Sequence, residues 1–224
     1  VARDALPEGS ELVDLGAHRL KDLARPERIW SLTHQDLPVV DTALRSLDAF
    51  RQNLPVQPTP LIGRRSEVRS IVGELDRDRL VTLTGAGGVG KTRLAAQAAA
   101  ELVDRFPGGV WWVELAPLHD GSAIASTLLA AMGANEDGAR PAAQVVIDRL
   151  ASAPSLVVFD NCEHLIAPAA ELVANLLGRC PALVVLATSR EPLGLPAEVT
   201  WRVPSLSLPP TDAAPTIEGL SQYD

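Results

Sequence analysis

Lysine is almost missing from this 224-residue chain, occurring only at Lys21 and Lys91. Asp and Glu outnumber Lys and Arg by 28 to 20, for a net charge of −8. No run of basic residues forms a stripe, which argues against a nucleic-acid surface in this segment. Cysteine is as scarce: Cys162 and Cys180 make neither a disulfide framework nor metal-ligand spacing, so reduced, cytoplasmic thiols are expected. Long apolar runs are absent too. The longest uncharged stretch, GSAIASTLLAAMGAN (121–135), is too short and too rich in small residues to span a bilayer. No signal peptide is visible and the chain opens on Val1, so it is expected to be a piece of a longer protein. With 46% hydrophobic and 21% charged residues, it reads as one globular domain of ordinary size plus an appendage.

Residues 11–33 read as short strands broken by turn signals at Gly16 and Arg25-Pro26. Residues 36–60 lose periodicity and gather Pro38, Pro55, Pro58 and Pro60, the signature of an extended linker. From Leu61 helices and strands alternate. Ser66 is placed to cap a helix carrying Val68, Ile71, Val72 and Leu75 on one face. Strands are predicted at 80–84, 110–115, 156–160, 182–189 and 198–203. Helices are predicted at 92–105, near 122–132 and 142–151, and at 164–178, the last with Leu165, Ala169, Leu172 and Leu176 on one stripe. Strands that are apolar throughout and separated by helices indicate an α/β, doubly wound sheet covered on both faces.

The first of these strands runs into GAGGVGKT, residues 85–92, which fits two patterns. As G-x-x-x-x-G-K-T it is a P-loop. Gly85, Ala86, Gly87, Gly88, Val89 and Gly90 would wrap backbone N–H groups around phosphates, Lys91 would add a point charge, and Thr92 would offer a hydroxyl to magnesium. The helix that follows adds its positive end. As G-x-G-x-x-G, through Gly85, Gly87 and Gly90, it is a dinucleotide fingerprint, with Glu114 near the place of the ribose carboxylate. Three features favour the P-loop: Lys91-Thr92 directly after the last glycine, an Asp closing a later apolar strand, and polar Thr188, Ser189 and Arg190 closing the fourth. One of only two lysines falls at the position the P-loop demands.

Asp160, at the end of LVVFD, is placed to complete a magnesium site begun by Thr92; its plainer reading is a helix cap. Asn161 follows it and has an amide but no basicity with which to take a proton. Glu163 is the nearest carboxylate and is the candidate base, or only a charge at a helix start. His164 reads as a surface or capping histidine. Arg190 is the candidate to reach a terminal phosphate, its plainer reading being an exposed arginine past a strand, with Thr188 and Ser189 as possible hydroxyls nearby. Trp111 and Trp112 adjoin on a strand and so face opposite sides, which suits packing, as does Trp201.

With LIGRR (61–65), GAGGVGKT, LVVFDNCEHL (156–165) and LATSREPLGL (186–195) in that order, the chain resembles the STAND class of signalling P-loop NTPases, which includes the NB-ARC domains. The nearest likeness is to bacterial regulators that join such an ATPase to a LuxR-type DNA-binding domain. The resemblance covers residues 54–210 and implies a five-stranded, mostly parallel sheet of order 2-3-4-1-5, counted from the P-loop strand. It implies ATP or ADP with Mg2+ as ligands, Ile62, Gly63 and Arg64 near adenine and phosphates, and Arg93 beside the P-loop residues in the binding set. The family usually has an acidic residue after the first motif, where Arg65 stands here. Asp-Asn at the second motif is common in this subgroup and fits holding a nucleotide better than turning it over.

ELVDLGAHRLKDLARPERIWSL, from Glu11, resembles the C-terminal strands of a class III adenylate or guanylate cyclase domain. The metal-binding and transition-state residues of that family are absent, so no cyclase activity is expected. EGLSQYD (218–224) resembles the first turn of a following helical domain. The expected organisation is thus a cyclase-like remnant at 1–35, a linker at 36–60, the NTPase domain at 61–210 and a truncated helical domain from 211. A regulatory nucleotide switch with weak, Mg-dependent ATPase activity at most is the expected function. Its partners would be cyclase-like, winged-helix and DNA-binding domains, with a nucleotide-dependent oligomer left open. A remodelling-type ATPase and a dinucleotide-dependent oxidoreductase are the alternatives.

Overall fold

The computed structural model describes residues 10–18, 27–34, 52–59, 61–134 and 140–205. The expected helical start at 211–224 and most of the linker lie outside them. Near the N-terminus, β1 (Glu11–His18) pairs antiparallel with β2 (Glu27–Thr33), with a register shift between Asp14 and Gly16.

The main sheet contains β3 (Leu80–Thr84), β4 (Gly109–Glu114), β5 (Ser155–Asp160), β6 (Leu183–Ser189) and β7 (Val199–Arg202). Their spatial order is β4-β5-β6-β3-β7, and every pairing is parallel. This is the doubly wound order expected, with β6 inserted between the P-loop strand and the Asp160 strand. Alternation along each strand divides the core in two. Leu156 and Val158 join Val81, Leu83 and Trp112 on the face covered by α1 (Arg65–Leu75) and α2 (Lys91–Glu101). Val157 and Phe159 join Trp111, Val185 and Ala187 on the other face, under α3 (Ala123–Ala131), α4 (Ala142–Leu150) and α5 (Ile166–Arg179). The adjoining tryptophans therefore pack on opposite sides, as their spacing required.

Three local expectations need correction. Ser66 does not cap α1: it lies inside the helix and its hydroxyl donates to Glu67 Oε2 at 2.8 Å. The chain enters α1 through a left-handed turn at Gly63 (φ 68°) and Arg64 (φ 57°), so Arg64 occupies the cap position. The helix after the P-loop ends at Glu101 and tightens into a 3-10 turn over Val103–Arg105. A 3-10 turn at Cys162–His164 likewise precedes α5, and Val173 rather than Leu172 is buried on its stripe.

The described end of the proline-rich segment packs on the domain. Gln52 bridges to Val110 beside edge strand β4, and Leu54 is buried. The Asn53 side chain both donates to Trp112 O (2.9 Å) and accepts from Trp112 N (2.7 Å). An amide thereby closes part of an otherwise open sheet edge. Among the described residues no helix is long and apolar enough to cross a membrane.

Candidate functional site

All five strands of the main sheet deliver their carboxyl ends to one rim, where ligands bind in open α/β sheets. The loop leaving β3 turns into α2 at Gly90, whose φ of 92° and ψ of 19° suit glycine far better than a residue with a Cβ. Lys91 opens the helix with only 7% of its surface exposed, and its Nζ folds back to donate to Gly85 O (2.9 Å) and Ala86 O (3.0 Å). Arg64 grips the far side of the same loop. It is 4% exposed, and donates from Nη1 to Val89 O (3.1 Å) and from Nη2 to Pro204 O (3.0 Å). Val203, just past β7, donates its N–H to Thr84 O at 2.8 Å. Gly85 has a φ of 152°, which a residue with a Cβ rarely adopts, and an added Cβ would stand 3.2 Å from Val89 Cγ2.

Asp160 is buried at the end of β5. Its Oδ1 accepts from Thr92 Oγ1 at 2.9 Å and from Thr188 Oγ1 at 2.5 Å, both neutral hydroxyls. Burial pushes this carboxyl above the ordinary aspartate range; the Thr188 and Thr92 bonds oppose the shift, nearby Glu163 adds to it and Lys91 reduces it. A buried carboxylate held only by hydroxyls suits an added cation. Among the described residues no group of three or more His, Cys, Asp or Glu forms a metal site by itself. Thr92 Oγ1 and the Asp160 carboxylate are the two protein groups that could hold a magnesium ion, which usually takes only one or two carboxylates and fills its other positions with water and phosphate oxygens.

Asn161 adopts the left-handed region (φ 62°, ψ 54°), and its N–H donates to Thr188 Oγ1 at 3.0 Å. Asn enters that region more readily than most residues with a Cβ. Cys162 lies under the strand end with its thiol pushed up to about 12, chiefly by burial, so it stays protonated. The Glu163 Oε1 accepts from Arg190 Nε at 3.3 Å, while Oε2 is buried without a hydrogen-bond partner. His164 Nε2 lies 3.1 Å from Leu115 O and 3.0 Å from Leu118 O. As a donor to those carbonyls it ties down the loop after β4.

The structure thus brings Lys91, Thr92 and Asp160 together, with Arg190 beside them: its Nη2 lies 4.0 Å from where a Cβ on Gly87 would stand. Ile62, two residues before Arg64, is 78% exposed. The Arg93 guanidinium is engaged with Thr59 O (2.9 Å) and Thr59 Oγ1 (3.1 Å), on the incoming segment. Thr188, suggested by the sequence only as a nearby hydroxyl, is the joint between Asp160 and Asn161. Asn53, Val203 and Pro204 had no sequence signal: Val203 and Pro204 contribute backbone atoms, and the Asn53 amide meets only the backbone of Trp112. The dinucleotide alternative fails on topology. β5 and β6 separate β4 from β3, so exposed Glu114 pairs with Asp160 and does not stand beside the glycine loop.

Residues 74–193, more than half of the chain, match the AAA domain family. The chain belongs to that family. As an AAA domain it has the P-loop NTPase fold, and the comparisons extend to regulators. The chain is 47% identical over 142 residues to a Mycobacterium tuberculosis protein provisionally named as an HTH-type transcriptional regulator, covering 62% of this chain and 15% of that protein. An uncharacterized Mycobacterium tuberculosis protein is 39% identical over 150 residues, covering 67% of this chain and 38% of its own length. The AAA domain chain therefore spans less than half the length of either relative. Among solved structures, a Signal Transduction ATPase with Numerous Domains carrying a tetratricopeptide repeat sensor, from Pyrococcus horikoshii, is similar with a TM-score of 0.43 at 20% identity. That likeness covers 64% of this chain and 23% of the other.

Proposed function

We propose that this AAA domain is an ATP/ADP-responsive switch with slow hydrolysis, working within a larger transcriptional regulator. The observation that carries the reading is the convergence of the Thr92 hydroxyl and buried Asp160 beside the Lys91 loop. Gly85 to Gly90 would cradle the phosphates with backbone N–H groups, while Lys91 exchanges its loop carbonyls for phosphate oxygens. Thr92 and Asp160 would hold magnesium, which supplies neutralisation of phosphate charge when bound. Ile62 and Gly63 would flank the base, and Arg64 would brace the loop behind the phosphates.

Two features support holding over turnover. The position after Asp160 is left-handed, which suits Asn161 and disfavours a glutamate there. The remaining carboxylate, Glu163, already accepts from Arg190, so it is a poor general base as it stands. Arg190 lies beside Gly87, which supports its reading as the residue that meets a terminal phosphate, and only a difference in affinity between two states can drive a switch.

The relative named as an HTH-type regulator supports the wider setting: a DNA-binding domain as the output. A cyclase-like domain ahead of the hairpin, a winged-helix element beyond, and a cytoplasmic location complete the proposal. The test is steady-state phosphate release from Mg·ATP together with Arg190→Ala. Turnover below about one per second is expected, at or under the low end of typical enzymes. Arg190→Ala should weaken ATP binding and spare ADP. Many turnovers per second, or equal loss of both nucleotides, would contradict the reading.

A further inference from the structure

Glu163 and Arg190 approach from different strand ends and meet over the P-loop, an arrangement that neither helix formation nor core packing requires. Glu163 sits in the 3-10 turn after β5, with one carboxylate oxygen on Arg190 Nε at 3.3 Å and the other buried with no hydrogen-bond partner. Its charge also bears on Asp160, so two carboxylates share this corner. Arg190 is the more exposed partner: its side chain is 68% exposed, against 23% for Glu163. The two partners therefore differ in solvation. Glu163 is largely desolvated and in need of a positive neighbour, whereas Arg190 lies on an exposed stem beside Gly87.

We propose that Glu163 is a specificity-determining residue that competes with the terminal phosphate of ATP for Arg190, and so sets how strongly the site prefers ATP over ADP. This rests on the reading of Arg190 as the terminal-phosphate sensor. When a third phosphate enters near Gly87, Arg190 must leave Glu163 to meet it, and the Glu163 carboxylate loses its counter-charge. ADP presents no such phosphate, so the pair stays closed. The competition penalises ATP alone and holds the domain toward its ADP-bound form. Glu163 would then be neither a general base nor a mere helix-start charge. The pair is largely exposed on the Arg190 side, which limits its strength to that of a surface ion pair.

The experiment is a double-mutant cycle on the 224-residue chain. Mg·ADP and a non-hydrolysable Mg·ATP analogue are titrated calorimetrically into the parent, Glu163→Gln, Arg190→Ala and the double variant. Glutamine keeps the shape and removes the charge. Competition predicts that Glu163→Gln raises the ATP-to-ADP affinity ratio about two- to fivefold, the range of an exposed pair, and that the gain disappears in the Arg190→Ala background. A gain that persists without Arg190 would mean that Glu163 acts through its general field on the phosphates, which overturns the proposal. An ATP-to-ADP ratio that Glu163→Gln leaves unmoved while Arg190 is intact overturns it as well. If Arg190→Ala by itself leaves the ratio unchanged, the sensor reading falls and the competition falls with it. If Arg190→Ala lowers the ratio while Glu163→Gln is inert, only the competition is lost.

Discussion

Replacing Thr188 by valine keeps the shape of a fully buried side chain and deletes one hydroxyl, and that hydroxyl joins two strand ends. It donates to Asp160 Oδ1 at 2.5 Å and accepts the N–H of left-handed Asn161 at 3.0 Å. A hydrogen bond to a charged group contributes about 1.5–3 kcal/mol, and an orphaned backbone donor costs about 1–3 kcal/mol. The two losses share one atom and are not additive, so about 2–4 kcal/mol of destabilisation is expected. The pH dependence has a definite sign. Burial already raises the folded-state pKa of Asp160 above its unfolded value, and the Thr188 bond is the largest influence opposing that rise. The contribution of Asp160 itself to stability is thus fully present below the unfolded aspartate pKa and is lost as pH rises through the folded one, a loss that the Thr188 bond limits by favouring the ionised carboxylate. Without Thr188 the folded value rises further, so Thr188→Val should lose less stability at acid pH than at neutral pH. Urea unfolding of the nucleotide-free protein, across that range, reads both effects, with Thr188→Ser as the variant that keeps the hydroxyl. A Thr188→Val protein within 0.5 kcal/mol of the parent at neutral pH would refute the reasoning.

Further expectations follow from neighbouring residues. Asn161→Glu should cost about 1 kcal/mol, because glutamate enters the left-handed region less readily, and should not raise ATP turnover; a large gain in phosphate release would contradict it. Arg64→Ala removes a buried guanidinium that joins Val89 O to Pro204 O, so nucleotide affinity should fall for ADP and ATP alike, with a loss of stability above 2 kcal/mol in thermal or urea unfolding. Cys162, buried and protonated up to about pH 12, should resist alkylation in the native protein and react only after unfolding; rapid native labelling followed by mass spectrometry would contradict this placement.

The elements most legible in the sequence were those whose cause is local or periodic. Four apolar runs and the mixed EVTWRV stretch became five parallel strands, and the glycine loop ending in Lys91-Thr92 met an aspartate 68 positions away, at 2.9 Å from the Thr92 hydroxyl. Ser66 misled because capping statistics describe an entry from extended backbone, whereas this helix is entered from a left-handed turn secured by Arg64. Asn53 holding the β4 edge, and Pro204 O receiving Arg64, depend on backbone atoms that any sequence supplies, so composition and spacing gave no sign of them. Glu163 was legible as a carboxylate near the site but not as the partner of Arg190, 27 residues on, because that pairing needs β5 and β6 side by side.

Nucleotide holding is measured most directly by denaturing the purified protein, separating what it releases, and repeating this after incubation with Mg·ATP, for the parent and for Lys91→Ala. Bound ADP or ATP in the parent, lost in Lys91→Ala, is the expected result. A parent protein that releases no nucleotide and takes up none from added Mg·ATP would contradict the switch.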